Sequence, residues 1–371
     1  MRTPTNAQPA IPMFRHLSYP TLLLTASLAF LASCEKTETP DLVVPDTYAF
    51  DNVDYSGQTT RLEMLTQLTN YMKTANSGAT VDAALLKAMF ANSGNPFGDA
   101  ALDGSGKQLK DKCFELDRAY FEDWMDVMAA VSASALPAED GQAGIGSSGS
   151  SSWVFDAQGV EPIQLIEKGL MGAVFYYQAM AVYLSDERMS ADNETVTPGT
   201  GTLMEHYWDE AFGYTAMPVD FGSPYDNSAL RFWARYANGR DPLLGCNEKL
   251  ALAFRTGRAA ISAKDYALRD EQIAIISETW EDVCAGTVVH YLNEAIVEIG
   301  DDAVRNHVLS EALAFARSLK YNPNRRISLE QLAEFEALLG DNFYQAALQD
   351  LRDARSLISG IYGFEAIEES L

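Results

Sequence analysis

The sequence is poor in basic residues and in histidine. Among 371 residues there are 27 Lys and Arg and four His, against 52 Asp and Glu, so the formal charge is −25. A chain this acidic repels the phosphates of nucleic acids, and we therefore expect no nucleic-acid partner. The hydrophobic fraction of 47% is too high for a disordered chain.

Cysteine is equally scarce, and its spacing excludes two kinds of site. No two cysteines form a CxxC pair, so neither a zinc ribbon nor a thioredoxin-type motif is present. Beyond Cys34 three cysteines remain, and three cannot all pair within one chain. We expect either three small buried side chains or one disulfide and one free thiol, from Cys113, Cys246 and Cys284.

The N-terminus has the pattern of an export signal. Arg2 and Arg15 precede an uncharged apolar run over residues 21–33, which is too short for a membrane-spanning helix. The run ends in Leu31-Ala32-Ser33-Cys34, which resembles a bacterial lipobox, where the cysteine is lipidated and becomes the first residue. The alternative is an ordinary signal peptide followed by a chance cysteine.

These features predict a lipoprotein. We expect a signal peptide over residues 1–33, lipidation at Cys34, and a polar tether over residues 34–47. The membrane would then be a partner through the lipid anchor. The predicted location is the cell envelope, at the outer membrane or on its periplasmic face.

Apolar residues recur at three- and four-residue spacing along the rest of the chain. This periodicity predicts an all-α fold, with at most a short hairpin in the loops. A Ser/Gly/Ala-rich stretch predicts a flexible loop over residues 136–152, between a first helical segment (48–135) and a main helical bundle region (153–371). The predicted helices include 163–184, 203–214, 247–260, 271–298, 303–319, 328–339 and 342–358.

Two histidines share a pattern that suggests a metal site. His206 and His290 each begin the motif His-Tyr-x-x-Glu-Ala, and this hints at internal duplication. Glu210 and Glu294 lie four residues further on, so each shares a helix face with its histidine. Converging imidazoles and carboxylates suit a divalent metal such as iron or zinc, and these four residues are the predicted ligands. The alternative is a structural His–Glu hydrogen bond within each helix.

Other charged residues are candidates for ligand binding. Glu205 and Asp209 lie on the neighbouring helix face, where they either join the site or are solvated. Arg255 and Arg258 lie one turn apart on a mostly apolar helix, where they either bind an anion or pair with acids of another helix. Gly257 lies between these arginines, and its cost in a helix predicts close packing there. His307 is expected on the surface.

Four strings in the sequence resemble an uncharacterised family of bacterial lipoproteins, the domain of unknown function 4856. The resemblance covers nearly the whole chain after the signal segment. The resemblance implies no established activity. The strings are Tyr48-Ala-Phe-Asp-Asn-Val-Asp-Tyr-Ser-Gly-Gln-Thr-Thr-Arg-Leu62, Glu167-Lys-Gly-Leu-Met-Gly-Ala173, Glu205-His-Tyr-Trp-Asp-Glu-Ala-Phe-Gly-Tyr214 and Ala253-Phe-Arg-Thr-Gly-Arg-Ala-Ala-Ile261.

More distantly, the chain is similar to the imelysin group, which implies duplicated helical bundles and a role near iron uptake. The hallmark of that group is Gly-x-His-x-x-Glu. His206 matches its histidine, whereas Met204 stands in place of the glycine and Asp209 in place of the glutamate. The glutamate of this chain follows one residue later, at Glu210.

The resemblance implies that the protein binds a metal ion or a metal-linked ligand as an accessory to iron acquisition, with iron-uptake components as partners. We expect binding rather than catalysis. Two alternatives stay open. One is an imelysin-type metal-dependent peptidase or hydrolase, with Glu205 or Asp209 as the base. The other is a glycan- or peptide-binding surface lipoprotein that uses the aromatic side chains between residues 207 and 236.

Overall fold

A computed structural model describes residues 42–371, which are predominantly helical and form one compact unit. The predicted all-α class is confirmed. The α-helices of this part of the chain are α1 Ser56–Lys73, α2 Ala83–Ala91, α3 Ala100–Asp103, α4 Arg118–Ser132, α5 Pro162–Leu170, α6 Leu203–Tyr214, α7 Phe232–Leu244, α8 Cys246–Ala263, α9 Tyr266–Val297, α10 Asp302–Ser318, α11 Leu329–Leu339 and α12 Leu348–Tyr362.

The centre of the core is a helical run that begins with α5. Pro162 occupies the first turn of α5, where its missing N–H costs nothing. The run then widens into two π-helical segments, Met171–Tyr176 and Gln178–Tyr183, so the predicted helix over 163–184 is present with an altered pitch. Nearly every side chain of this run is buried, because helices lie against it on most sides.

Helix α9 is the longest element and organises the C-terminal half. It packs against α7, α8, α10 and α12. Its small and apolar residues from Val283 to Val289 are all buried. Helix α6, by contrast, packs mainly against α1, α8 and the second π-helical segment.

An antiparallel hairpin begins within the segment predicted as a flexible loop. Strand β1 (Gly144–Ser148) pairs with β2 (Ser151–Phe155), and Gly144 lies opposite Phe155. Residues 144–149 have the spacing G-x-G-x-x-G, but a strand rather than a helix follows them. The helix N-terminus that holds a dinucleotide phosphate in such motifs is therefore missing here.

All three cysteines beyond Cys34 are free and buried, which confirms the first of the two alternatives. Burial raises the pKa of both the Cys113 and the Cys246 thiol to about 12. These thiols are therefore protonated at neutral pH and act as small core side chains.

The predicted signal peptide and Cys34 lie outside the described residues, and so does most of the tether. Lipidation stays a prediction. Within residues 42–371, no helix is both long and apolar enough to cross a membrane.

Candidate functional site

Helix α6 begins at a capping box that fixes the rotation of its side chains. The hydroxyl of Thr202 accepts a hydrogen bond from the Glu205 backbone N–H at 3.2 Å. The Glu205 carboxylate accepts one from the Thr202 N–H at 2.9 Å. Two otherwise unpaired amides of the first turn are thus satisfied, and the faces of α6 are set from its first residue.

His206 and Glu210 form a half-open pair on one face of α6. The His206 Nε2 atom lies 3.9 Å from Glu210 Oε2, and the two side chains are 26% and 19% exposed. Glu210 Oε1 accepts hydrogen bonds from Gln58 at 2.8 Å and from the Tyr183 hydroxyl at 3.2 Å. The Nδ1 atom of His206 is buried and has no hydrogen-bond partner in residues 42–371.

The surroundings of this pair carry charges of both signs. The backbone N–H of Ser56 holds the pKa of Asp54 below its ordinary value, and the nearby His206 lowers it further. Burial lowers the pKa of Lys112, whereas Glu210 opposes that shift. The Lys112 amino group lies 3.4 Å from the Tyr183 hydroxyl. The site therefore offers a nitrogen donor, a fixed carboxylate and a nearby ammonium group.

The second predicted pair lies in different surroundings on α9. The Nδ1 atom of His290 is 3.2 Å from the backbone oxygen of Leu371, and burial lowers the pKa of this histidine. Burial and the nearby Glu311 raise the pKa of Glu294. Across the described part of the chain, no three His, Cys, Asp or Glu side chains are grouped so as to hold a metal ion. The four predicted ligands are therefore not brought into one site.

Glu205 and Asp209 are held by Arg258 in a buried ion-pair cluster. Arg258 Nη1 lies 2.5 Å from Glu205 Oε1, and Arg258 Nε lies 3.0 Å from Asp209 Oδ1. The Tyr48 hydroxyl donates a further hydrogen bond to Asp209 at 2.6 Å. Burial raises the pKa of Asp209 to about 7, although Arg258 opposes the shift. Arg258 therefore pairs with acids of another helix, which is the second of its two predicted alternatives.

Arg255 fastens the start of the described chain to α8. Its guanidinium donates to the backbone oxygen of Asp46 and pairs with Glu248 at 2.9 Å. The ring of Tyr48, two residues after Asp46, stacks on Phe212 with ring centres 3.7 Å apart. The strings that begin at Tyr48, Glu205 and Ala253 therefore meet around one structural cluster.

The sequence interpretation of His307 is wrong, because this histidine is largely buried. Its Nδ1 atom lies 2.5 Å from Glu161 Oε2, and its ring stacks on Trp153 with centres 4.7 Å apart. Glu161 precedes α5, far from His307 in the sequence, so no local spacing could have revealed the pair. Close by, Lys168 pairs with Glu311 at 3.4 Å.

Comparison with known proteins gives a family but no activity. The family described as "Domain of unknown function (DUF4856)" matches residues 45–339. No curated protein and no solved structure matches the chain. The imelysin-like relationship therefore remains an expectation.

Proposed function

We propose, from the premise that this chain belongs to the DUF4856 family, a domain of unknown function, that it is a cell-envelope lipoprotein that binds a metal-linked ligand at His206 and Glu210. One observation carries the proposal. A partly exposed imidazole faces a carboxylate that two other side chains hold in place, and the imidazole has a buried nitrogen without a partner in residues 42–371.

The small number of donors favours a metal that brings its own ligand. Histidine nitrogen and carboxylate oxygen bind zinc or iron at about 2.1 Å. The 3.9 Å gap between His206 and Glu210 would admit such an ion after a small closure of the two side chains. Two protein donors leave the remaining coordination positions to a chelating molecule, and the opening to solvent gives that molecule access.

The neighbouring acids support binding rather than hydrolysis. A metal-dependent hydrolase needs a free base beside the metal-bound water. Glu205 and Asp209, the two candidates for that base, are both paired with Arg258. The alternative of a glycan platform is weakened by burial, because Trp208 and Trp233 are enclosed in the core.

The expected role in iron acquisition comes from the similarity to the imelysin group. On that view the lipid at Cys34 would hold the protein at the envelope, and iron-uptake components would be its partners. The His206–Glu210 site would then present iron, or iron in a chelate, to those partners.

The test is a binding measurement with iron in two forms. Calorimetric titration of the chain without a polyhistidine tag would use Fe²⁺ alone, the ferric citrate complex, and citrate alone. The variants are His206→Gln and Glu210→Gln. The matched control is His290→Gln, which removes the other motif histidine.

We expect the ferric complex to bind at one site per chain and more tightly than Fe²⁺. Each α6 substitution should weaken binding by about tenfold or more, which corresponds to about 1.4 kcal/mol. The His290→Gln variant should bind like the unaltered protein. Equal binding of citrate without iron, or equal binding by all the variants, would overturn the proposal.

A further inference from the structure

A cavity of about 200 Å³ opens between α1, α5 and the start of α7, and its lining is unusually basic. Four basic side chains line it, Lys73, Lys168, Arg231 and Arg235, against the single acid Glu167. The chain as a whole has nearly two acids for every basic residue. Positive charge is thus concentrated at one concave place.

The salt bridges of this lining leave part of the charge uncompensated. Lys168 lies 3.1 Å from Glu167 and 3.4 Å from Glu311, and Lys73 lies 3.6 Å from Glu167. Arg231 pairs with Glu63 at 3.0 Å. Arg235 is exposed and has no ion-pair partner within residues 42–371. Three carboxylates thus face three of the four cations, whereas the Arg235 guanidinium faces none, so the cavity has a net positive charge.

A buried hydroxyl in the lining also lacks a partner. Thr69 is 3% exposed, and its Oγ1 atom makes no hydrogen bond in the part of the chain that the structure describes. Buried hydroxyls are normally hydrogen-bonded, because leaving one unpaired costs free energy. Thr69 lines the same cavity as the basic residues, so its hydroxyl can serve a molecule bound there.

The backbone around the cavity departs twice from regular geometry. Phe232, at the start of α7, has φ +50°, a conformation that L-residues rarely adopt. Met171 begins the first π-helical segment. Strained residues and π-helical turns concentrate at binding sites, where the surrounding structure maintains them. Phe232 and Met171 both line the cavity and give it an apolar side.

We propose that this cavity is a second binding site, which takes a small organic anion bearing two negative charges, as carboxylates or as a phosphate. Arg235 and Lys73 bind its charged oxygens, and the Thr69 hydroxyl donates one hydrogen bond. The carbon part of the ligand lies against Phe232 and Met171. The volume of the cavity matches one molecule of a few carbon atoms.

The test is calorimetric titration with succinate and, separately, with inorganic phosphate. The variants are Arg235→Gln, which removes the unpaired charge, and Thr69→Val, which replaces the unpartnered hydroxyl with a methyl group of similar size. Arg352→Gln is the matched control, because Arg352 is exposed on α12 and has no ion pair in residues 42–371. Melting curves without ligand show whether each variant is folded.

We expect one of the two anions to bind once per chain. Arg235→Gln and Thr69→Val should each weaken that binding about tenfold, since each removes a direct contact. Arg352→Gln should leave it unchanged, and the melting temperature of the Thr69→Val variant should not fall. The anion that binds identifies the class.

Two results would overturn the proposal. One is the absence of saturable binding of either anion to the unaltered protein at concentrations up to about 10 mM. The other is equal binding by all four proteins. The cavity shares no residue with the His206–Glu210 site, so the His206→Gln variant should bind the anion normally. A failure at one site is therefore distinguishable from a failure at the other.

Discussion

At the scale of single residues, charged side chains inside the helical core occur in compensating groups. Arg258 is enclosed between Glu205 and Asp209, and His307 lies against Glu161. Charges removed from water in this way are tolerated only while their partners remain. Replacing one member therefore leaves the other buried and unpaired.

Arg258→Met should lower the free energy of unfolding by about 3 kcal/mol, because two carboxylates lose their buried cation. Without Arg258 the pKa of Asp209 should rise beyond its present value of about 7. A carboxyl group whose pKa is raised on folding makes the folded protein less stable as pH increases. The deficit measured by urea unfolding should thus be larger at pH 8 than at pH 5.5.

Arg255→Met is the control for this change, because the carboxylate of its partner Glu248 is 56% exposed. Pairs with an exposed member contribute little, and we expect a loss of about 1 kcal/mol. Equal losses in the two variants would contradict the assignment of Arg258 as the centre of a buried cluster.

Glu161→Gln should destabilise the protein in a pH-dependent way. Burial alone would lower the pKa of His307, but the hydrogen bond and charge of Glu161 raise it above the ordinary 6.5. A raised histidine pKa stabilises the fold below about pH 6.5 and loses that effect as pH rises. The difference in unfolding free energy should be about 2 kcal/mol at pH 6 and should shrink towards pH 8.5.

His290→Gln provides the opposite case, since burial lowers the pKa of His290. Any stability that depends on the neutral form of His290 is lost as pH falls. The loss of stability caused by Glu161→Gln should therefore grow as pH falls, whereas the loss caused by His290→Gln should grow as pH rises. A pH-independent difference for Glu161→Gln would show that His307 does not carry a proton in the folded state.

At the scale of elements, close packing between α6 and α8 depends on one glycine. A Cβ atom added at Gly257 would lie 2.1 Å from the Trp208 ring. The Trp208 indole N–H donates to the Phe254 backbone oxygen at 3.0 Å, so the ring cannot move aside freely. The close packing predicted from a glycine within a helix is confirmed here.

Gly257→Ala should therefore destabilise the protein, although alanine is the better helix former. The clash with Trp208 should cost about 2 kcal/mol net in urea unfolding. Gly239→Ala in α7 is the matched control, because nothing lies within 4 Å of the added methyl group. That variant should gain about 0.5–1 kcal/mol from helix propensity. A gain in both variants would contradict the packing described.

Local signals decided which elements the sequence could predict. The capping box at Thr202 marks the start of α6, and the predicted 203–214 agrees with the structure. Asn342 also resembles a cap, but it caps only the 3₁₀ turn Phe343–Gln345, so the predicted helix over 342–358 begins too early. Helix α12 starts at Leu348.

Contacts between distant residues account for what the sequence did not predict. The His206–Glu210 pair follows from spacing on one helix, whereas Gln58 and Tyr183, which hold Glu210, come from other elements. The basic cavity likewise draws its residues from three separate stretches of chain. No local sequence pattern encodes these contacts, because tertiary packing alone determines them.

At the scale of the whole molecule, the excess of acids lies on the surface. Within residues 42–371, six basic residues are less than one-tenth exposed, and so are six acidic ones: Arg61, Lys168, Arg255, Arg258, Arg269 and Arg305, and Glu161, Glu167, Glu205, Asp209, Glu281 and Glu311. Burial thus removes equal numbers of both signs from solvent. The exposed part of the protein is therefore dominated by carboxylates, and the cavity beside Arg235 is a local exception that would attract anions from solution.

Residues 42–371 form one compact unit, so we expect one cooperative unfolding transition. Differential scanning calorimetry at neutral pH would test this, with circular dichroism at 222 nm as a second probe. The two signals should report the same midpoint. Two separated transitions would instead support the predicted duplication into independent bundles.

The attachment of the first described residues also determines when they can fold. Asp46 and Tyr48 bind to Arg255 and Asp209, which lie 209 and 161 residues away from them in the sequence. During synthesis, this stretch therefore emerges long before its binding partners exist. It is made before α8 and cannot be in place until α8 has formed. Docking of this stretch on α6 would therefore show that the rest of the protein has already folded.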